Sequence, residues 1–495
     1  MFEAAELGRK VPKSVFAAEE PALQMALLQA QRRLEDADFP VIIVVSGVEG
    51  SGKGEVINRL NKWLDTRGLQ THAFWDTTEE EAQRPPYWRY WRRLPPSGSV
   101  GIMLGSWYTQ PIVDRAFDRI DDAELDRELR RIEEFERLLT DDGALLIKFW
   151  FHLSRRDQKK RLRRDVKEGR MSPPLLKKFA KRYDRFASHC ERALRMTDTG
   201  GCPWYIIESA DRRYRDLTVG KTLLQSINER LEQDPAPRRP RGGNETPPIP
   251  IPEASVTVLD RVDLDASLSK EQYDETLDKY QRQLNNLAWT AHKQQRHVVA
   301  VFEGWDAAGK GGAIRRVTQA VDGRLYRTIS IAAPTDEERA HHYLWRFWRQ
   351  LPRAGRMTIY DRSWYGRVLV ERVEGFASPP EWQRAYQEIN DFEEQLVDHG
   401  VVLMKFWLHI SFDEQLRRFR EREQVEHKRH KLTEEDWRNR EKWSEYEAAV
   451  NDMVARTSTE YAPWTLVAGN DKKFARVQVL ETFCQRLSTA LGEGE

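Results

Sequence analysis

One glycine-rich motif appears twice in this chain, 257 positions apart, and that duplication constrains the fold more than anything else in the sequence. Gly47-Val48-Glu49-Gly50-Ser51-Gly52-Lys53-Gly54 returns as Gly304-Trp305-Asp306-Ala307-Ala308-Gly309-Lys310-Gly311, followed by Gly312. Each copy follows an apolar run, Val41 to Val45 or Val298 to Phe302, and opens a helical segment. A strand, a lysine-bearing glycine loop and a helix in that order form a phosphate cradle. The same offset carries Trp88 to Trp345, Pro95 to Pro352, Ser106-Trp107-Tyr108 to Ser363-Trp364-Tyr365, and Lys148-Phe149-Trp150 to Lys405-Phe406-Trp407. Later, Pro203-Trp204 returns as Pro463-Trp464 at an offset of 260, after a small insertion. Solenoid repeats run roughly 20–50 residues, so a period this long means duplication of a whole domain.

At 495 residues the chain accommodates two such domains, each large enough to bury its own core. The expected boundaries are 20–232 and 256–491, joined by a linker over 233–255, with tails outside them. The stretch from Asp234 to Pro252 holds seven prolines and three arginines and is too poor in apolar residues to pack. In the second copy, strands are expected at His297 to Glu303, Met357 to Tyr360, Val401 to Ile410 and Thr465 to Ala468, separated by amphipathic helical segments. These apolar runs lack alternation, as strands covered on both faces do. The fold class is therefore α/β: two tandem P-loop kinase-like, three-layer α/β/α domains with parallel sheets and a helical lid. Ligands of such sheets sit beyond the carboxyl ends of the strands.

With 80 Lys and Arg against 79 Asp and Glu, the formal net charge of +1 argues against nucleic acid as a partner. Three cysteines without metal-ligand spacing argue against a disulfide framework and a zinc site. No apolar run approaches 18 residues and no signal-peptide pattern opens the chain, so a cytoplasmic protein without membrane contact is expected.

Chemistry concentrates in the second copy. Gly304, Gly309, Gly311 and Gly312 let backbone N–H groups approach phosphate oxygens, and Lys310 adds a positive charge. Gly311 stands where a metal-binding Ser or Thr is usual, which leaves Asp306 and Asp361 as the available metal carboxylates. Asp361 is followed by Arg362 and Arg367, whose guanidinium forks suit phosphate, and Glu371-Arg372 lies a turn further on. A surface salt-bridge cluster is the plainer alternative for that group. After the third expected strand come Arg417, Arg418, Arg420 and Arg422, then Lys428, Arg429 and Lys431, either a solvated face or a lid over phosphates. The loop containing Asn470 is a nucleotide-site candidate, and the Trp345, Phe347 and Trp348 cluster reads as packing rather than base stacking.

The loop at 304–312, Asp361-Arg362-Ser363-Trp364-Tyr365 with Arg367, and Lys405-Phe406-Trp407-Leu408-His409 together resemble the polyphosphate kinase 2 family, over nearly the whole chain. The tandem form resembles the second class of that family. The resemblance implies transfer of a phosphoryl group from inorganic polyphosphate to AMP, giving ADP, assisted by Mg²⁺ with Mn²⁺ as a substitute. It implies catalytic roles for Asp306, Lys310, Asp361, Arg362 and Arg367, with Asp306 and Asp361 binding metal or activating the acceptor phosphate. Polyphosphate would follow Arg418, Arg420, Arg422 and Lys405, and Glu371 and Asn470 are candidates for nucleotide contact. A homo-oligomer is compatible with this class. Rival readings are an ATP-dependent nucleotide kinase, a polyphosphate kinase acting on nucleoside diphosphates, and a non-catalytic polyanion-binding scaffold.

The first copy departs from this pattern where it matters. Glu49, Leu104, Gly105 and Gln110 stand in place of Asp306, Asp361, Arg362 and Arg367, while Lys53 and Lys148 persist. The expected outcome is an inactive copy that keeps a basic segment, nine Lys or Arg against three Asp or Glu from Arg155 to Arg170. Polyphosphate guidance and a purely structural role remain equally open for it.

Overall fold

A computed structural model describes residues 1–169, 182–233, 257–424 and 434–492. The expected linker and the Lys428, Arg429 and Lys431 part of the basic run lie outside the described residues. The chain divides into two compact units, one of residues 1–77, 87–233 and 335–345 and the other of residues 78–86, 257–334 and 346–492.

Each unit is built on a five-stranded parallel sheet. In the first, β1 (Val41–Gly47), β2 (Leu69–Ala73), β3 (Val100–Leu104), β4 (Leu145–His152) and β5 (Trp204–Glu208) lie in the order β2-β3-β1-β4-β5. In the second, β6 (Val298–Gly304), β7 (Tyr326–Ser330), β8 (Met357–Asp361), β9 (Val402–His409) and β10 (Trp464–Ala468) repeat that order as β7-β8-β6-β9-β10. The central strands β1 and β6 are buried along almost their whole length, as continuous Val/Ile/Phe runs require when helices cover both faces. Helices Lys13–Leu34 and Arg212–Glu232 bury Leu27, Leu34, Leu223 and Ile227 with Val41, Ile43 and Val45 in the core of the first unit.

All four strands expected in the second copy are present, with ends shifted by a single residue. The edge strands β2 and β7 were not expected. Arg327, Thr328 and Ser330 are mostly solvent-facing, so β7 lacks the apolar run that marks a covered strand. The N-terminal residues are not a tail either. Phe2 stacks on His152 with ring centroids 4.5 Å apart, the backbone N–H groups of Gly8 and Arg9 donate to Glu208, and the first long helix already begins at Lys13.

The phosphate loop sits where β6 ends and the helix Lys310–Ala320 begins. Gly304 has φ of +147° and passes so close to β9 that a Cβ there would lie 2.6 Å from the Leu408 carbonyl oxygen. Gly309, at φ +110°, is the left-handed cap from which the helix starts. A Cβ at Gly311 would meet nothing within 4 Å, so that glycine answers to no packing demand and leaves the mouth of the loop open.

Candidate functional site

β6 and β8 are neighbours in the sheet with Phe302 paired to Asp361, which brings the loop and the Asp361-Arg362-Ser363 segment to the same carboxyl edge. The side-chain ammonium of Lys310 folds back over the loop and donates to the Gly304 and Trp305 carbonyls. Asp306 is held from two sides, by the Arg362 guanidinium at 3.5 Å and the Asn439 amide at 2.9 Å. Arg367 pairs with Glu371 at 3.1 Å. Asp306, Lys310, Asp361 and Arg362 thus share one edge, and Glu371 is engaged by Arg367.

Glu303, which motif reading passes over, belongs to the same edge. It is the residue before Gly304, only 5 % exposed, and it accepts a hydrogen bond from Ser363 Oγ at 2.9 Å. Burial pushes its carboxyl pKa up, and the nearby Asp361 charge adds to the rise while Lys310 opposes it. A signal existed in the duplication, because the first copy has Ser46 there. Asn439 was missed as well, since an amide on the charged helix Glu434–Glu441 carries no motif. Its Oδ1 accepts from Tyr446 Oη at 3.3 Å, which fixes the amide with its nitrogen toward Asp306.

These residues suit a hard divalent cation. Glu303, Asp306 and Asp361 offer carboxylate oxygens at this edge of the sheet. No three such groups converge at metal-binding spacing among the described residues. That is the usual situation for Mg²⁺, which takes one or two carboxylates and completes its shell with water and substrate phosphate.

Two assignments made from sequence are corrected. Lys405 does not line a phosphate path: it is fully buried, its ammonium bound to Glu393 at 2.7 Å, Tyr365 Oη at 2.9 Å and the Thr457 carbonyl at 2.6 Å. Glu393 also accepts from Trp364 Nε1 and Tyr365 Oη, so the aromatic motif and the lysine form one internal network. The first copy repeats it with Lys148, Glu136, Tyr108 and Trp107, which shows a device of the scaffold rather than of the chemistry. Arg418 is likewise not a lid residue. It is 2 % exposed and binds the carbonyls of Ala307, Ala308, Gly469 and Asn470, bracing the phosphate loop from behind. Asn470 gives its carbonyl to that brace and its side-chain oxygen to the Ser411 N–H. Arg420 remains exposed, Arg422 is partly buried, and Gln415 donates to the Asp306 carbonyl.

The expectation that the paired aromatics pack holds. Phe347 and Trp348 are buried edge-on against Trp364 and Phe392, with ring centroids 5.6 and 5.0 Å apart.

Backbone strain separates the copies. Ala307 and Arg362 occupy the left-handed region at φ +62° and +64°, whereas the first copy has glycine at both places, Gly50 at +77° and Gly105 at +68°. A side chain in that region costs roughly 1 kcal/mol or more and persists where something else requires the residue. The first copy has relaxed both positions. Its Glu49 turns back to within 3.7 Å of Lys53, and burial draws that lysine's pKa down while Glu49 opposes the fall. Arg215, wholly buried, reaches the Ser51 carbonyl at 3.2 Å, so an arginine from a different helix braces this loop.

The chain matches the family model described as polyphosphate kinase 2 over residues 10–235 and again over 267–493. A protein of Pseudomonas aeruginosa named polyphosphate:AMP phosphotransferase is 50 % identical over 495 residues, covering 99 % of each chain. The protein of that name from Acinetobacter johnsonii is 37 % identical across 94 % of this chain and 96 % of its own. A Rhizobium meliloti protein named ADP-polyphosphate phosphotransferase 1 is 38 % identical but spans 44 % of this chain and 73 % of its own. Among solved structures, a crystal structure assigned to polyphosphate kinase 2 of Pseudomonas aeruginosa superposes with a TM-score of 0.89 at 49 % identity, covering both chains completely.

Proposed function

The chain belongs to the polyphosphate kinase 2 family, and from that premise we propose that it transfers a phosphoryl group from inorganic polyphosphate to AMP, giving ADP, at the site in its second copy. The observation that carries this reading is the full-length match, at half identity, to relatives that share the tandem form and bear that activity in their names. Relatives named for ADP or other nucleoside diphosphates align with less than half of this chain, which favours AMP as the acceptor.

Transfer between phosphoanhydrides asks for little covalent work and much charge stabilisation and alignment. The loop N–H groups and Lys310 would cradle one set of phosphate oxygens, and Arg362 with Arg367 another. Mg²⁺, held through Asp306 and Asp361 with Glu303 behind them, would neutralise charge on the transferring group. Asn439 and Arg362 hold the Asp306 carboxylate in place. Three buried free thiols fit a reducing cytoplasm, and no helix among the described residues is long and apolar enough to cross a membrane. The test is to incubate the protein with AMP, polyphosphate and Mg²⁺ in the absence of ATP. ADP should accumulate; its failure to appear while ATP supports phosphorylation of AMP would make the protein an ordinary nucleotide kinase.

Strain at Arg362 gives a second expected result. Arg362→Gly, which installs the first copy's residue, should leave the urea unfolding free energy within about 1 kcal/mol of the parent, because relief of left-handed strain offsets the entropy of glycine. ADP formation should nonetheless fall roughly 10²-fold in kcat/KM, as expected when a phosphate-facing charge is lost. Parallel losses of stability and rate would mean the arginine is there for the fold.

A further inference from the structure

The first copy carries a cationic surface that its relaxed loop does not use. On the helix Arg155–Lys167, Arg156, Lys159, Lys160, Arg163 and Lys167 are all exposed. Their spacing of i, i+3, i+4, i+7 and i+11 gathers them into an arc of about 100° at 3.6 residues per turn, and the row runs about 16 Å along the axis. Gln158 and Leu162 supply the buried face of the same helix. The helix's other arginines have carboxylate partners: Arg155 pairs with Asp184, Arg161 with Glu55 and Arg164 with Glu168. None of the five cations in the row has such a partner among the described residues. Like charges three and four residues apart repel, so the row works against its own helix unless an anion covers it.

The second copy does not share this surface. At the corresponding positions it has Asp413, Leu416, Arg417, Arg420 and Gln424, and Arg417 is tied to Glu414 at 2.7 Å and Glu421 at 3.7 Å. The row is therefore a property of the copy that has lost its metal carboxylates, not a by-product of the duplicated scaffold.

We propose that this row is a docking site for inorganic polyphosphate, held by the copy that does not perform the transfer. The inference rests on polyphosphate being the donor, and it gives the first copy a binding role. Charge complementarity selects the occupant: a row of cations without carboxylate partners, and without a cradle or aromatic platform among the described residues, matches a flexible linear polyanion. A donor chain anchored there presents its free length to the transfer site of the same molecule at a raised local concentration, which favours long chains over short ones.

The experiment uses the full chain carrying Lys159→Gln, Lys160→Gln and Arg163→Gln together. Steady-state ADP formation is measured with long-chain polyphosphate and with tripolyphosphate, and binding of fluorescently labelled long-chain polyphosphate is followed against salt without AMP. The KM for the long chain should rise about 10-fold while that for tripolyphosphate stays unchanged, because the short donor cannot occupy both places at once. The slope of log affinity against log salt should fall by about 2, from three lost cations at about 0.7 each. Equal KM changes for both donors, or an unchanged salt slope, would overturn the proposal. A parent that forms no ADP from polyphosphate would instead refute the donor assignment, and the binding measurement would still decide the docking site. Binding of single-stranded RNA reduced as much as polyphosphate binding would make the surface a general polyanion patch and overturn the proposal as well.

Discussion

Asp306→Asn and Asp361→Asn are each expected to lower the rate of ADP formation by about 10²-fold or more while leaving the thermal unfolding temperature close to the parent's. Transfer from one phosphoanhydride to another has no covalent step for the protein to share, so the barrier falls through placement of charge. The second copy concentrates that charge at one edge of the sheet: Asp306 between Arg362 and Asn439, Asp361 at the end of β8, and Glu303 buried beside them. An asparagine fills the space of either aspartate but cannot serve a divalent cation with a charged oxygen. Neither aspartate is fully buried, so the fold should tolerate the exchange. Assaying both variants across a Mg²⁺ series gives the clearest contrast. A rate near the parent's in either variant at saturating Mg²⁺ would remove that residue from the site.

The second large effect concerns the two loop lysines, and its physical basis is visible in how each loop is furnished. Lys53 and Lys310 adopt the same posture, each donating to the first two carbonyls of its own loop. Around Lys53 the surroundings differ: Ser46, Leu104 and Gly105 occupy the places of Glu303, Asp361 and Arg362, and Glu49 leans on the lysine itself. Around Lys310 all three are present, and no carboxylate lies within ion-pair distance of its ammonium among the described residues. Equal loops in unequal surroundings should respond very differently to the same truncation.

Much of this was legible in the sequence because duplication supplies its own control. A residue kept in a single copy, such as Asp361 against Leu104, marks where the two copies differ in equipment, whereas one kept in both, such as Lys148 and Lys405 or Lys53 and Lys310, does not by itself separate scaffold from chemistry. For Lys405 it is the buried network, repeated around Lys148 in the first copy, that assigns the pair to the scaffold. The same contrast marks Glu303 through Ser46. Arg418 is harder to read. A cation amid Arg417, Arg420 and Arg422 looks like part of a solvated face, and only the fold shows that the helix Phe412–Gln424 turns this one arginine inward onto four loop carbonyls. Strands β2 and β7 were invisible because an edge strand with polar residues has no apolar run, and Asn439 because an amide acts here only through its position. The left-handed conformations of Ala307 and Arg362 likewise leave no mark in the sequence, except that the first copy answers both with glycine.

The most direct test of the account, that one copy transfers phosphate and the other does not, is a steady-state comparison of Lys53→Ala and Lys310→Ala in the full chain with AMP, long-chain polyphosphate and Mg²⁺. Lys310→Ala should lose most of its turnover, about 10²-fold or more, whereas Lys53→Ala should keep kcat within a few-fold of the parent. Comparable losses from the two variants, with both proteins folded, would mean that the first copy is a working site and would contradict the account.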